Sequence, residues 1–365
     1  MKLSKRSLFL AATASLLLAS CGSSNEQSDG ASGASAAPRT EFSIGWSIYA
    51  GWVPWEYAEQ AGIVKKWSDK YGIKIDVVQI NDYVESINQY TAGKLDGVTA
   101  TTGDGLTIPS AGGKDTTVLI AGDYSNGNDG LVSKSATSLA ALKGQSINLV
   151  ELSVSHYLLA RALDSAGMKL SDVKTINTSD ADIVAAFATR DVKTVVTWNP
   201  QLSEVKGQAG AKLLFDSSKI PGEVLDALLV DSATLKANPN LGKALAGIWY
   251  ETVSLMLRQD AQGKAARAMM AKLTGTTSES FESQLATTAM YPTAKDAVAY
   301  VTSPDIIAAH ERIRGFSFDQ GLFGPNSKSK DMVGIQFEGK TLGDPKNVKL
   351  RFDPSFMRMA ADGKL

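Results

Sequence analysis

Apolar and polar positions along the chain change period several times, and the changes predict a succession of strands and helices. Phe42 to Ser47 alternates and is rich in Ile, Phe and Trp, which predicts a strand. Pro54 suits a first helical position, so Trp55 to Tyr71 is expected to be a helix that stops at Gly72. Ile73 to Ile80 alternates again, Tyr83 to Ala92 has a helical pattern stopped by Gly93, and Leu95 to Thr102 and Thr116 to Ala121 are further strand candidates. The turn-rich run Asp123 to Gly130 breaks this rhythm. A second series follows, with strands at Ser146–Val150, Val173–Asn177 and Val192–Thr197 and helices at Ser155–Ala166 and Ala181–Ala188. After Pro221-Gly222 the pattern turns helical. Leu241, Ala244, Leu245, Ile248, Trp249, Val253 and Met256 fall on one face, with further helices at Ala261–Leu273 and Asp305–Arg314 and extended segments from Val333 to Phe352.

This alternation predicts an α/β fold of two lobes, each with a mostly parallel sheet flanked by helices. The chain is expected to cross between lobes near residues 123–132 and again near 219–231. The expected organisation is residues 41–125 and 231–365 in lobe 1 and residues 126–230 in lobe 2. In such sheets ligands bind beyond the carboxyl ends of the strands, which places the Trp46–Trp52 loop and Asp104 on one rim.

The first residues add a destination. Lys2, Lys5 and Arg6 precede an uncharged apolar run from Leu8 to Ala19, too short for the roughly 20 residues of a membrane span. Residues 1–20 are therefore expected to be a signal peptide. Leu18-Ala19-Ser20-Cys21 resembles a bacterial lipobox, which implies cleavage before Cys21, its lipidation and anchorage to a membrane, facing the periplasm or cell exterior. Cys21 is the only cysteine, so no intramolecular disulfide or thiolate metal site is available. Residues 21–40 are rich in Ser, Gly and Ala, the composition of a flexible tether. With 37 basic and 38 acidic residues, the chain loses only cations when its leader is removed, and it offers no basic block for nucleic acid.

Several ordered pieces resemble one family. Tyr57-Ala58 through Gly62-Ile63, Ala92 to Asp96, Ser138 to Gly144, Ser153 to Leu159, Asp180 to Phe187 and Val195 to Pro200 look like the solute-binding proteins of ABC importers in the nitrate/taurine/sulfonate group. That resemblance implies a periplasmic-binding-protein fold of the type II kind, with a two-segment hinge, solute captured between the lobes and delivery to a permease and its ATPase. Gln79 to Tyr90 and Val150 to His156 look like a narrower subgroup associated with urea carboxylase systems, for which urea or guanidine is the implied cargo. A monomer without cofactor is expected.

The candidate pocket residues are Trp46, Tyr49, Trp52, Asp104, Glu151, Ser153, Ser155, His156, Asp180, Trp198 and Asn199. Asp104 and Glu151 follow strands, Asp180 precedes a helix, and the aromatic residues cluster on the rim. Asn126 and Asp129 read as hinge-turn residues. A helix start at Ser153, Ser155 and His156 suits an anion, because its backbone N–H groups point outward. The carboxylates and the lack of arginine on these rims argue instead for a small donor-rich solute. A planar guanidinium pairs bidentately with carboxylates and stacks on Trp198 or Trp46. Urea needs an additional donor, such as Asn199. Three other readings remain open: a nitrate, taurine or alkanesulfonate binder, an enzyme resembling thiamine-pyrimidine synthase, and a sensor or adhesin on the same fold. A calcium loop at Asp123–Asp129 is rejected, since its sixth and twelfth places hold Asn128 and Lys134 instead of Gly and Glu.

Overall fold

Phe42, Ile44 and Trp46 are buried along the first strand, and that strand seeds the larger of two β-sheets in the computed structural model, which describes residues 39–324 and 327–365. The strands, in chain order, are β1 (Glu41–Trp46), β2 (Lys74–Gln79), β3 (Gly97–Thr101), β4 (Thr116–Ser125), β5 (Asp129–Ser133), β6 (Ser146–Leu149) and β7 (Lys174–Asn177). They continue with β8 (Thr194–Trp198), β9 (Lys212–Asp216), β10 (Leu225–Asp231), β11 (Thr288–Met290), β12 (Gly334–Phe337), β13 (Lys340–Leu342) and β14 (Val348–Phe352). The larger sheet has the order β13-β12-β14-β4-β10-β3-β1-β2, with β11 paired to the far end of β4; the smaller has the order β7-β6-β8-β5-β9. Helices pack on both sheets, giving the two-lobed α/β architecture that the alternation predicts.

Strand direction is more mixed than a parallel reading suggests. β1 runs parallel to β2 and β3, and β6 runs parallel to β7 and β8. β10 is antiparallel to β3 and β4, and β5 is antiparallel to β8 and β9. The reason is the crossing itself. β5 and β10 each begin where the chain has just arrived from the other sheet, so each runs away from the cleft while its neighbours run toward it.

The two crossings are short. Residues 126–128 join β4 to β5, and residues 217–224 join β9 to β10. Residues 225–230 therefore belong to the larger sheet, because β10 pairs with β3 and β4, and the return crossing ends before the expected boundary. Ser217 ties the crossings together: its Oγ lies 2.6 Å from Ser125 Oγ and accepts the Gly127 N–H at 2.8 Å.

The expected helix after Pro54 is split. Pro54–Gln60 and Ile63–Tyr71 are separated at Gly62, whose φ of 73° is left-handed and costs little without a Cβ. Both pack against the long helix Pro239–Met256, which buries the apolar face read from its spacing. Trp249 of that helix stacks on Trp55, with ring centroids 5.4 Å apart.

The expected export signal, Cys21 and most of the expected tether lie outside the described residues. Among those described, no helix is long and apolar enough to cross a membrane.

Gly247 lets the long helix approach Trp67, and a Cβ there would fall inside the Trp67 ring surface. Gly247→Ala should lower the unfolding free energy by about 1–3 kcal/mol, the usual cost of overpacking, measured by urea denaturation of the full chain.

Candidate functional site in the cleft between the sheets

Strands of both sheets point their carboxyl ends at one cleft, and the side chains that follow them line it. Tyr49 and Trp52 follow β1, Asp104 follows β3, Val154 follows β6, and Trp198 ends β8. These residues line two adjoining chambers that share Thr101, Val154 and Val224 as a common wall.

The first chamber, about 270 Å³ of empty space counting its mouth, is an aromatic box with an acidic side. Trp52 meets Tyr49 edge-on at 4.9 Å and stacks on Tyr83 at 5.5 Å. Tyr83 in turn meets Trp198 edge-on at 5.5 Å, so the aromatic chain spans from the larger sheet to the smaller. Asp129 and Asp226 complete the lining. The second chamber, about 340 Å³, combines Asp104, Ser153 and Glu223 with apolar Ile313, Phe316 and Leu322. Neither chamber is lined by Lys, Arg or His.

Burial sets the charge state of these acids. Asp104 is 4 % exposed; its Oδ2 accepts the Tyr83 hydroxyl at 2.6 Å and the Val154 N–H at 3.2 Å. Its carboxyl is pushed up to about 6 by burial, tempered by Tyr83, Thr101 and Val154. Asp129 is pushed up to about 7 by burial, eased by the Ser125 hydroxyl and raised further by Asp104. Asp123, wholly buried, accepts the Tyr49 hydroxyl at 2.7 Å and stands opposite Asp226 in the β4–β10 register. Burial raises both members of this pair, and the charge of Asp123 raises Asp226 further. Glu223 behaves differently. Burial would raise it, but Arg161, Tyr157 and Arg312 donate to it at 2.8, 2.6 and 3.0 Å and hold it below the usual carboxylate range.

Among the sequence candidates, Tyr49, Trp52, Asp104, Ser153 and Trp198 meet in these chambers. The others are placed elsewhere. Trp46 is fully buried in the core of the larger lobe, because its position in β1 turns it inward. Glu151 sits half-buried at an outer mouth and accepts the Thr175 hydroxyl at 2.5 Å. Ser155 is buried on the helix Val154–Ser165 outside both linings, with its Oγ unpartnered. His156 turns back to accept the Leu152 N–H at 3.3 Å and faces Phe316. Asp180 is also outside both linings; burial, reinforced by Asp82, pushes it up to about 6, while backbone N–H groups that include Tyr83 temper it. Asn199 donates to Asn128 Oδ1 at 2.8 Å and accepts Ser203 N–H at 3.0 Å, which makes it a crossing and helix-start residue.

Asp123, Asp226, Tyr83 and Glu223 are not among the pocket candidates that the sequence offers, and Asp129 reads there as a hinge-turn residue. One signal was present. Asp226 interrupts the otherwise apolar run Leu225 to Val230, and a lone acid inside a buried strand marks either a partner or a ligand.

The chain belongs to the NMT1-like family, which it matches over residues 37–273. Its fold is that of periplasmic binding proteins. It superposes on the alkanesulfonate-binding protein SsuA from Xanthomonas axonopodis pv. citri bound to MOPS, with a TM-score of 0.66 and 20% identity over 79% of this chain and 96% of that one. The nitrate-binding protein NrtA from Synechocystis PCC 6803 gives a TM-score of 0.56 and 14% identity over 90% of this chain and 99% of that one. The desulfurization enzyme DSZB shares the fold at a TM-score of 0.57 and 14% identity, over 90% of this chain and 100% of that one, so the fold alone does not separate binding from catalysis. A curated relative from Brucella abortus is 29% identical over 117 residues, which is 31% of this chain and 37% of that protein, so the chain aligns with little more than a third of its length.

A raised carboxyl holds a proton in the fold that the unfolded chain releases, so its contribution is present at acid pH and lost as pH rises through the folded value. Asp129, with a folded value of about 7, makes the empty protein lose stability between about pH 4 and about pH 7. Asp129→Asn should remove that loss and raise stability at alkaline pH by on the order of 4 kcal/mol, with little effect at acid pH. Thermal melts of both proteins across pH provide the comparison.

Proposed function

We propose that this chain is the solute-binding component of an ABC importer, exported, lipid-anchored through Cys21, and specialised for a small planar nitrogenous solute, guanidine-like or urea-like. The solute binds between the lobes, and the closed form delivers it to a permease driven by an ATPase. One observation carries the choice of cargo. The Val154 N–H that opens the helix Val154–Ser165, where an anion would sit, is already taken by the Asp104 carboxylate. The anion seat is thus filled by the protein's own charge, and the chambers beside it present further acids and no cation.

The aromatic box suits such a solute. A guanidinium lying against Trp52 or Trp198 gains about 0.5–2 kcal/mol from the ring faces, and its N–H donors match Asp129 and Asp226. The buried Trp52 Nε1, without a partner, is a donor available to a carbonyl such as that of urea. Binding without turnover fits the two histidines: His156 is engaged by the Leu152 backbone, and His310 is fully buried between Phe337 and Phe352.

A second reading, an anion carrier, draws on the names of the relatives, which include an Escherichia coli protein named for aliphatic sulfonates, 35% identical over 83 residues. Calorimetric titration of the full chain in detergent separates the two. Guanidinium or urea should bind, and nitrate and taurine should not; tight binding of nitrate or taurine alone refutes the nitrogenous cargo. Trp198→Ala should weaken binding of the preferred solute at least tenfold, about 1.4 kcal/mol. Unchanged affinity would make Trp198 a packing residue.

A further inference from the structure

We infer that the solute is a monovalent cation and that its capture expels a proton shared by Asp123 and Asp226. The inference rests on the nitrogenous-solute reading and goes further, because that reading admits neutral urea.

The geometry begins with a register. Asp123 on β4 and Asp226 on β10 are direct cross-strand partners, which places their Cα atoms about 4.5–5.5 Å apart. Both are buried, at 0% and 4% exposure. Two carboxylates this close in a dry site do not both ionise, so one proton stays between them. Asp123 is the acceptor of the pair, because the Tyr49 hydroxyl already donates to it. Asp226 is the member that keeps the proton, and it is also the one that lines the aromatic chamber.

Every group around the pair leaves the proton in place while the cleft is empty. Tyr49 comes from the segment after β1, Asp129 from β5, and Tyr291 from the segment after β11, each close enough to share the pair's field. Tyr124 neighbours Asp123 on β4 and faces Tyr291 and Tyr300, and Asp104 acts on Asp129 from the end of β3. Behind the sheet, Asp226 borders Trp52, Trp55 and Trp249. None of these is a cation, and no Lys, Arg or His lines either cavity that Asp226 touches. One buried donor of the chamber, Trp52 Nε1, also has no partner.

A neutral solute leaves this balance unchanged, since it brings no charge to offset a second carboxylate. A cation changes it. Its positive charge stabilises the doubly ionised pair, the Asp226 O–H bond breaks, the proton leaves to solvent, and the freed carboxylate accepts an N–H of the solute. Charge is conserved, because one monocation enters and one proton departs. The same exchange selects against sodium and potassium, which cannot donate to carboxylates or match the flat aromatic walls.

The test uses the full chain in detergent, with guanidinium chloride and urea as probes. Titrations in two buffers of different ionisation enthalpy, from about pH 5 to about pH 8, count the protons released. Guanidinium should release roughly one proton and gain up to about tenfold in affinity per pH unit on the acid side, while urea binds more weakly and without pH dependence. Asp226→Asn should abolish both the release and the pH dependence. Guanidinium binding with flat affinity and no release overturns the exchange while leaving the nitrogenous cargo standing. Tighter binding of urea than of guanidinium also overturns it. Infrared difference spectra of the empty protein give a reading that needs neither ligand nor variant. A protonated carboxyl band should persist at about pH 7, and its absence overturns the inference even if neither probe binds, a result that would separately defeat the proposed cargo.

Discussion

Four aspartates, Asp104, Asp123, Asp129 and Asp226, are buried where the two sheets meet, and nothing in the chambers they line or border carries a positive charge. Isolated ionised carboxylates cost several kcal/mol each to bury, so a site of this kind exists either by holding protons or by awaiting a cation. Burial favours the first condition, while hydrogen bonds donated to the acids offset part of its cost. Tyr49 donates to Asp123, and Tyr83 and the Val154 N–H converge on Asp104. Stability is given up at the site for the sake of what enters it, a common exchange in binding clefts.

Glu223 shows how the same chain treats an acid meant to stay charged. It lies on the return crossing and receives Tyr157 and Arg161 from a helix of the smaller lobe and Arg312 from the helix Pro304–Asp319. Those three donors tie the crossing to both lobes. Ser217 ties the two crossings to each other. The crossings are therefore held by paired polar groups, Asn128 Nδ2 apart, while Trp52 Nε1 in the cleft beside them has no partner.

Much of this was legible in the chain. Period changes gave the two lobes, the long helix with Trp249 on its buried face and the rim carrying Tyr49, Trp52 and Asp104. Side-chain direction was harder to read. Trp46 and Trp52 are six residues apart and equally apolar, yet one turns into the core and the other into the cleft, because β1 ends between them. Asp123 and Asp226 are about a hundred positions apart, and only the β4–β10 register joins them. Asp129 looked like a turn residue because its neighbours are Asn and Gly; the first residue of a strand just past a crossing has the same local signature. The acids that matter most were thus hidden by long-range pairing, which residue types and spacing do not encode locally.

A crystal structure of the protein grown with guanidinium chloride and with taurine addresses the central claim most directly. The account predicts a flat cation between Trp52 and Trp198, within hydrogen-bond distance of Asp226 and Asp129, with Asp104 still accepting the Val154 N–H. A sulfonate seated on the Val154 N–H, with Asp104 swung away and the aromatic box empty, would contradict it.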